Sequence, residues 1–277
     1  MDANQYCLEK AAASGSSFYY SFRFLPTDKR QAITAFYAFC REVDDIVDEC
    51  TDVAKAQQKL KAWQQEIHDL YAGVPHHPVT QALAPAISAY HIPAESLLEI
   101  IAGMEMDLTH VRYTDFTALK IYCHRVAGVV GEVSARIFGY SQPDTLRYAA
   151  LLGLSFQLTN IIRDVGEDAK RNRIYLPLDE LAQFNVSECD LLNAKTSENF
   201  KNLMEYQYQR AHATYQLAFD TLPLCDRKSQ KTGLIMAAIY RSLLDKIRFD
   251  GYPVLTHRTR LTSLRKLWLA WRAWMLA

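Results

Sequence analysis

The sequence predicts an all-α fold, and three observations carry that expectation. Apolar residues recur at the three- and four-residue spacing of one helical face, as in Ile33, Phe36, Tyr37, Phe39, Val43 and Val47, or Leu60, Trp63, Ile67 and Leu70. Only 10 Gly and 9 Pro punctuate 277 residues, fewer breaks than a chain of many short strands needs. No Asn-Gly or Asp-Gly turn separates alternating runs, since Asp250-Gly251 leads into Tyr-Pro and a basic segment. At 49% hydrophobic the chain can bury a sizeable core, and without linker-like stretches or repeats a single domain over 1–277 is the simplest organisation.

The elements follow in order. Gly15 to Phe24, GSSFYYSFRF, reads as a short helix or lead-in that ends at Leu25-Pro26, with Thr27 as the N-cap of a long helix from Asp28 to about Glu49. Asp52 to Tyr71 is a second helix, followed by Val79 to Tyr90 and Pro93 to His110. A helix from about Asp115 to Phe138 contains the small-residue stretch VAGVVG, Val126 to Gly131. Glycine inside a helix costs about 1 kcal/mol against alanine, so two of them mark a close approach by another helix or by a substrate chain. Pro143 opens a central helix, and Ser187 to Leu222 and Lys228 to Phe249 read as two more long helices.

The central helix carries the chemistry. In QLTNIIRDVGED, Gln157, Asn160, Asp164 and Asp168 fall in one line along a helix whose other faces are apolar. In REVDDIVDE, Asp44 and Asp48 are i and i+4, with Asp45 beside them and Arg41 one turn before. Facing each other, the two helices collect five aspartates around one cavity, with Glu167 as a sixth acid. Such a cluster repels itself unless hard cations neutralise it, and its density suits Mg²⁺ held by one or two carboxylates, waters and substrate phosphates. A diphosphate bound through magnesium is the inference. The basic run Lys170, Arg171 and Arg173 follows directly and is placed to clamp a diphosphate.

Other features bound the setting. Equal numbers of basic and acidic residues, 31 each, give no support for a nucleic-acid partner. Six scattered cysteines without a CxxC pair read as reduced core thiols of a cytoplasmic protein, and the N-terminus lacks the apolar stretch of a signal peptide. Arg258 to Ala277 reads as a basic amphipathic helix, with Leu261, Leu264, Trp268, Trp271 and Met275 in a stripe and five Lys or Arg without an acid. It either lies peripherally on an anionic membrane or docks on the body of the protein.

DDIVDE at 44–49, VAGVVG at 126–131 and QLTNIIRDVGEDAKRNRIYLP at 157–177 resemble the squalene and phytoene synthase family over essentially the whole chain. SFYYSF at 17–22 with REVDDIVDE most resembles the bacterial presqualene diphosphate synthases of hopanoid pathways. The resemblance implies an isoprenoid synthase fold, a helical bundle around a central apolar cavity, that joins two farnesyl diphosphates head to head with Mg²⁺ as cofactor. It implies that Asp44, Asp45 and Asp48 form one metal motif and Asn160, Asp164 and Asp168 the other, with Gln157 between them. It further implies that Arg41, Arg163, Arg171 and Tyr240 contact diphosphate, with Arg258 as another such contact. Ser17 matches a serine of the N-terminal flap, and Tyr122 and Val126 resemble residues beside the prenyl chain. Downstream pathway enzymes are the implied partners. The proton-accepting base is either a tyrosine or the released diphosphate.

Rival readings share the motifs. A phytoene or dehydrosqualene synthase differs in prenyl length or in a second ionisation, and DDIVD leans to the farnesyl-using branch. A squalene synthase needs NADPH, for which no glycine-rich fingerprint is visible. A catalytically dead scaffold has little reason to keep five clustered aspartates.

Overall fold

The computed structural model describes residues 2–13, 22, 25–50 and 52–276, and among these it is helical throughout, with one isolated bridge between Arg112 and Ile174 in place of any strand. Helix α1 spans Ala3–Ala13 and α2 spans Thr27–Glu49, with Pro26 rather than Thr27 at the cap. Helices α3 (Val53–Tyr71), α4 (Pro78–Ala89) and α5 (Ala94–Thr109) follow. The Asp52 carboxylate starts α3 by accepting from Ala54 N at 3.0 Å and Lys55 N at 3.2 Å. Gly15 to Phe24 lies outside the described residues apart from Phe22, and Ser17 with it.

The helix expected over 115–138 is interrupted. It runs as α6 (Phe116–Cys123), a π-helical turn at His124–Gly128, and α7 (Val129–Phe138). Helix α8 (Asp144–Lys170) is the longest, and α7, α11 (Glu198–Thr221) and α12 (Lys231–Phe249) pack around it. Between α8 and α11 lie α9 (Leu178–Gln183) and α10 (Glu188–Leu192). The single helix expected from Ser187 to Leu222 is therefore two. The chain turns at Ala194, whose φ is +52°, and restarts at Ser197, whose side chain caps Phe200 N. The last helix, α13, spans Ser263–Leu276 and begins five residues later than expected. No described helix is long and apolar enough to cross a membrane. The thiols are not all in the core either: Cys7 and Cys123 are buried, but Cys189 and Cys225 are exposed.

Gly131 of the small-residue stretch meets another helix, whereas a Cβ on Gly128 would first meet the His124 side chain of its own turn. A Cβ on Gly131 would stand 2.2 Å from the Ala149 carbonyl oxygen, and one on Gly153 would stand 2.1 Å from that of Ala127. Close helix packing of α7 and the π-helical turn on α8 is what excludes side chains here. The same backbone approach lets Val126, Ala127, Val130 and Gly131 line a cavity between the helices.

The start of α8 is fixed by Asp226. Its carboxylate accepts from Ser141 N at 2.9 Å, Gln142 N at 3.0 Å, and the hydroxyls of Ser141 and Thr145 at 2.6 Å each. Burial opposes the charge, but these donors outweigh it and hold the carboxyl at about 2. A depressed folded value adds stability above the unfolded value of ~3.9, and that stability is lost as pH falls from there through about 2. Asp226→Asn is expected to lower stability at neutral pH by about 2 kcal/mol, with the gap to the parent closing in acid, as read by denaturant unfolding at pH 7 and pH 2. Gly153→Ala is expected to cost about 1–3 kcal/mol in the same assay, because Ala127 O belongs to backbone and cannot move aside cheaply.

Candidate active site

A cavity runs between α2, α5, the π-helical turn, α7, α8 and α12. The enclosed part of the cavity measures about 290 Å³, and it widens into an open mouth. Its walls are apolar: Ile33 and Phe36 from α2, Met104 from α5, Val126 and Val130, Leu152 and Phe156 from α8, and Met236 from α12. Its charged residues, Arg41 and Asp44, reach the cavity at one end, together with Gln157, Asn160 and Tyr240.

Two acidic sets face each other there. On α2, Arg41 reaches Asp44 at 2.6 Å and also pairs with Asp45. Lys10 of α1 holds Asp45 at 2.9 Å, so Asp45 sits on the flank of the helix while Asp44 lines the cavity. On α8, Asp164 accepts from Arg163 Nε at 2.8 Å and from Arg258 Nε at 2.8 Å and Nη2 at 3.2 Å. Arg171, beyond the end of α8, reaches across to Asp48 of α2 at 3.2 Å. Arginine thus joins the two walls. Glu167, the sixth acid, is exposed and pairs with Lys170 at 2.8 Å.

The electrostatics distinguish the carboxylates. Burial raises the Asp44 carboxyl to about 6, with Arg41 opposing and Asp48, Asp45 and Asp107 adding to the rise. Burial and the charge of Asp164 push Asp168 up to about 7. Asp164 goes the other way, because Arg163 and Arg258 outweigh its burial.

Asp107 is a functional candidate that sequence reasoning missed. It accepts from Tyr175 Oη at 2.7 Å and Tyr122 Oη at 2.9 Å, and burial raises its carboxyl despite those bonds. Tyr122 is therefore occupied with Asp107 and stacked on Tyr175 at 5.3 Å. Arg173, in the same basic run as Arg171, lies 4.0 Å from Asp48. Tyr240 packs on Phe156 at 4.7 Å and lies beside Arg163.

Among the described residues, no group of three acids, histidines or cysteines holds a metal ion by itself. The acids are divided between two walls. The donor set still suits magnesium, which takes one or two carboxylates and completes its octahedron with waters and phosphate oxygens. Asn160 Oδ1 is buried without a hydrogen-bond partner beside these acids, a hard oxygen of the right kind.

Known proteins resemble this chain in sequence and in fold. A family model for squalene/phytoene synthases matches residues 11–265. A phytoene synthase of Arthrospira platensis is 37% identical over 96% of this chain and 90% of its own length. A 15-cis-phytoene synthase of Synechococcus elongatus is 35% identical over the same shares. Among solved structures, a dehydrosqualene synthase bound to a ligand superposes with a TM-score of 0.90 at 28% identity, over 99% of this chain and 96% of that one. Squalene synthase HpnC of Alicyclobacillus acidocaldarius shares the fold with a TM-score of 0.82 at 24% identity, over 90% of this chain and 94% of that one. With the family match spanning most of the chain and relatives of 35–37% identity covering 96% of it, the protein belongs to the squalene/phytoene synthase family.

Proposed function

We propose that the protein joins two molecules of farnesyl diphosphate head to head into presqualene diphosphate, releasing one diphosphate and one proton. The observation that carries this reading is an apolar cavity capped at one end by two arginine-buttressed acidic sets. Arg41, Arg163, Arg171 and Arg258 are the diphosphate clamps, since a bidentate guanidinium matches phosphate as it matches carboxylate. Asp44, Asp48, Asn160, Asp164 and Asp168 would hold magnesium, with Asp45 reinforcing the α2 set. Bound magnesium would supply Lewis-acid stabilisation of the departing diphosphate.

The chain's own residues account for the rest. As the first substrate loses diphosphate, its C1 becomes an allylic cation, which the apolar walls and the rings of Tyr37, Phe156 and Tyr240 shield from water. The C2–C3 double bond of the second substrate bonds to that carbon, and loss of a proton from it closes the cyclopropane. The second diphosphate stays on the product. Tyr240 and the released diphosphate are the two candidate proton acceptors, and burial raises the Tyr240 phenol, which favours the diphosphate.

Cavity depth supports the fifteen-carbon chain. Asp44 and Ile33 both line the cavity and stand eleven residues apart on α2, a rise of about 16 Å along the helix at 1.5 Å per residue. An extended carbon chain advances about 1.2 Å per bond, as the polypeptide backbone does, so farnesyl spans about 13 Å and geranylgeranyl about 18 Å. With the diphosphate added, farnesyl fills the depth and the longer chain presses on Ile33, Phe138 and Tyr148. A second reading comes from the phytoene synthase relatives, which favour the longer chain and a hydrocarbon product.

Incubation with farnesyl diphosphate and Mg²⁺, with and without NADPH, is expected to yield a phosphorylated thirty-carbon product unaffected by NADPH. A thirty-carbon hydrocarbon, or turnover only with geranylgeranyl diphosphate, would move the chain to the second reading. Asp48→Asn and Asp164→Asn are each expected to lower kcat by about 10³ or more with the helical circular dichroism unchanged. Phe138→Ala removes part of the floor and is expected to raise geranylgeranyl turnover relative to farnesyl several-fold, as measured by competition between the two substrates.

A further inference from the structure

Helix α13 is seated on α12 by one face and leaves the opposite face uncovered. Leu269, Ala270 and Ala273 join the core, Arg265 Nε donates to Ser242 Oγ at 3.2 Å, and Lys231 sits 4.5 Å from the Trp274 ring. Of the two alternatives left by the sequence, docking on the body is therefore present, and it uses different residues from most of the apolar stripe. Leu261 drops out of the stripe into the core, while Leu264, Leu267 and Trp271 are 80%, 64% and 61% exposed, with Trp268 and Met275 exposed beside them. At i, i+3, i+4, i+7 and i+11 these five form one continuous apolar band along the helix.

A band of this kind on a well-seated helix marks an interaction surface. We propose that the outer face of α13 docks on an anionic lipid bilayer. Charge selects this occupant. From Gly251 to the end of the chain there is no Asp or Glu, while Arg260, Arg265, Lys266 and Arg272 lie along or beside the helix. Arg265 and Arg272 both flank the band on the same side, where phosphate headgroups would meet them as the tryptophans enter the interface. A second copy of the chain is a poorer partner, because a two-fold contact would set these arginines against their own equivalents.

The docking also orients the cavity. Beside the C-terminal end of α13 lies a groove lined by Lys29, Tyr140, Lys228, Ile235 and Trp274, and it shares Phe138 and Thr232 with the floor of the main cavity. A bilayer on α13 would lie next to the hydrocarbon end of the site, away from the acids.

The test uses the full chain and vesicles of phosphatidylcholine with or without phosphatidylglycerol. Three of the four tryptophans are on α13, so quenching of intrinsic fluorescence by brominated acyl chains reports on this helix directly. Co-sedimentation and quenching are expected with phosphatidylglycerol vesicles, weakening as salt rises. The triple substitution Leu264→Ser, Leu267→Ser, Trp271→Ser is expected to weaken binding more than about ten-fold with the melting temperature unchanged. Arg272→Gln should weaken the preference for anionic lipid while leaving the apolar band and the Arg265–Ser242 contact in place. Absence of binding to anionic vesicles, or equal binding by parent and triple variant, would overturn the proposal. So would a concentration-dependent dimer that the triple substitution abolishes and that vesicles do not compete with.

Discussion

Everything at the mouth of the cavity depends on carboxylates held partly out of water against their own repulsion. Asp44 and Asp48 on α2 and Asp164 and Asp168 on α8 would not tolerate one another unaided, and the protein sets a guanidinium against most of them: Arg41, Arg163, Arg258 and Arg171. Arg163–Asp164 is the best covered of these pairs, and removing either partner would leave the other poorly compensated, whereas water screens the more exposed pairs. The pairs do more than stabilise. In the proposed function the arginine that steadies a carboxylate would also donate to phosphate oxygens, so one set of charges would both hold the two helices in register and recognise substrate. Arg258 makes this coupling long-range, since it ties the segment before α13 to Asp164, 94 positions earlier in the chain.

The apolar part of the cavity rests on a different constraint. A channel between helices closes unless some contacts are made close and others are held apart, and α8 does both along its length. At Gly153, and where Ala149 faces Gly131, backbone meets backbone, and at Gly166 a Cβ would stand 2.3 Å from Leu255 O. These close contacts fix α8 against its neighbours and leave the face bearing Leu152, Phe156, Gln157 and Asn160 free to line the cavity. The π-helical turn at His124–Gly128 falls beside this contact, where an extra residue in the turn re-aims the chain as it enters α7.

How much of this was legible in the sequence follows from the range of each interaction. The α8 stripe was visible because polar residues at helical spacing interrupt an otherwise apolar segment, a local signal. Asp107 was not, because a lone aspartate in EMDLTH looks like ordinary surface until Tyr122 and Tyr175 arrive from distant positions to donate to it. The break at Ala194 was missed because it carries no glycine, although the Ser187–Asp190 capping box and the Ser197 cap were there to be read. The start of the last helix was placed too early because Arg258 is committed to Asp164, a tertiary contact that outweighs local helical pattern. Likewise Asp45 shares the spacing of its neighbours, and only Lys10 on α1 reveals that it stands on the flank.

The two ends of the cavity are drawn from the same helices, and this has a consequence for how specificity is built. On α2 the residues run from Asp44 at the mouth to Ile33 at the floor, and on α8 from Asn160 to Tyr148, so the helical rise itself sets the distance from charge to floor. A helix cannot shorten without losing whole turns. Prenyl length is therefore adjusted most cheaply by the side chains at the floor, of which Phe138 divides the main cavity from the groove next to α13. Changing that ring leaves the acidic sets untouched, about three helical turns away. Chemistry and chain length are thus separable in this fold, which is why intact acidic motifs identify the family while the floor residues bear on which member of it a chain is.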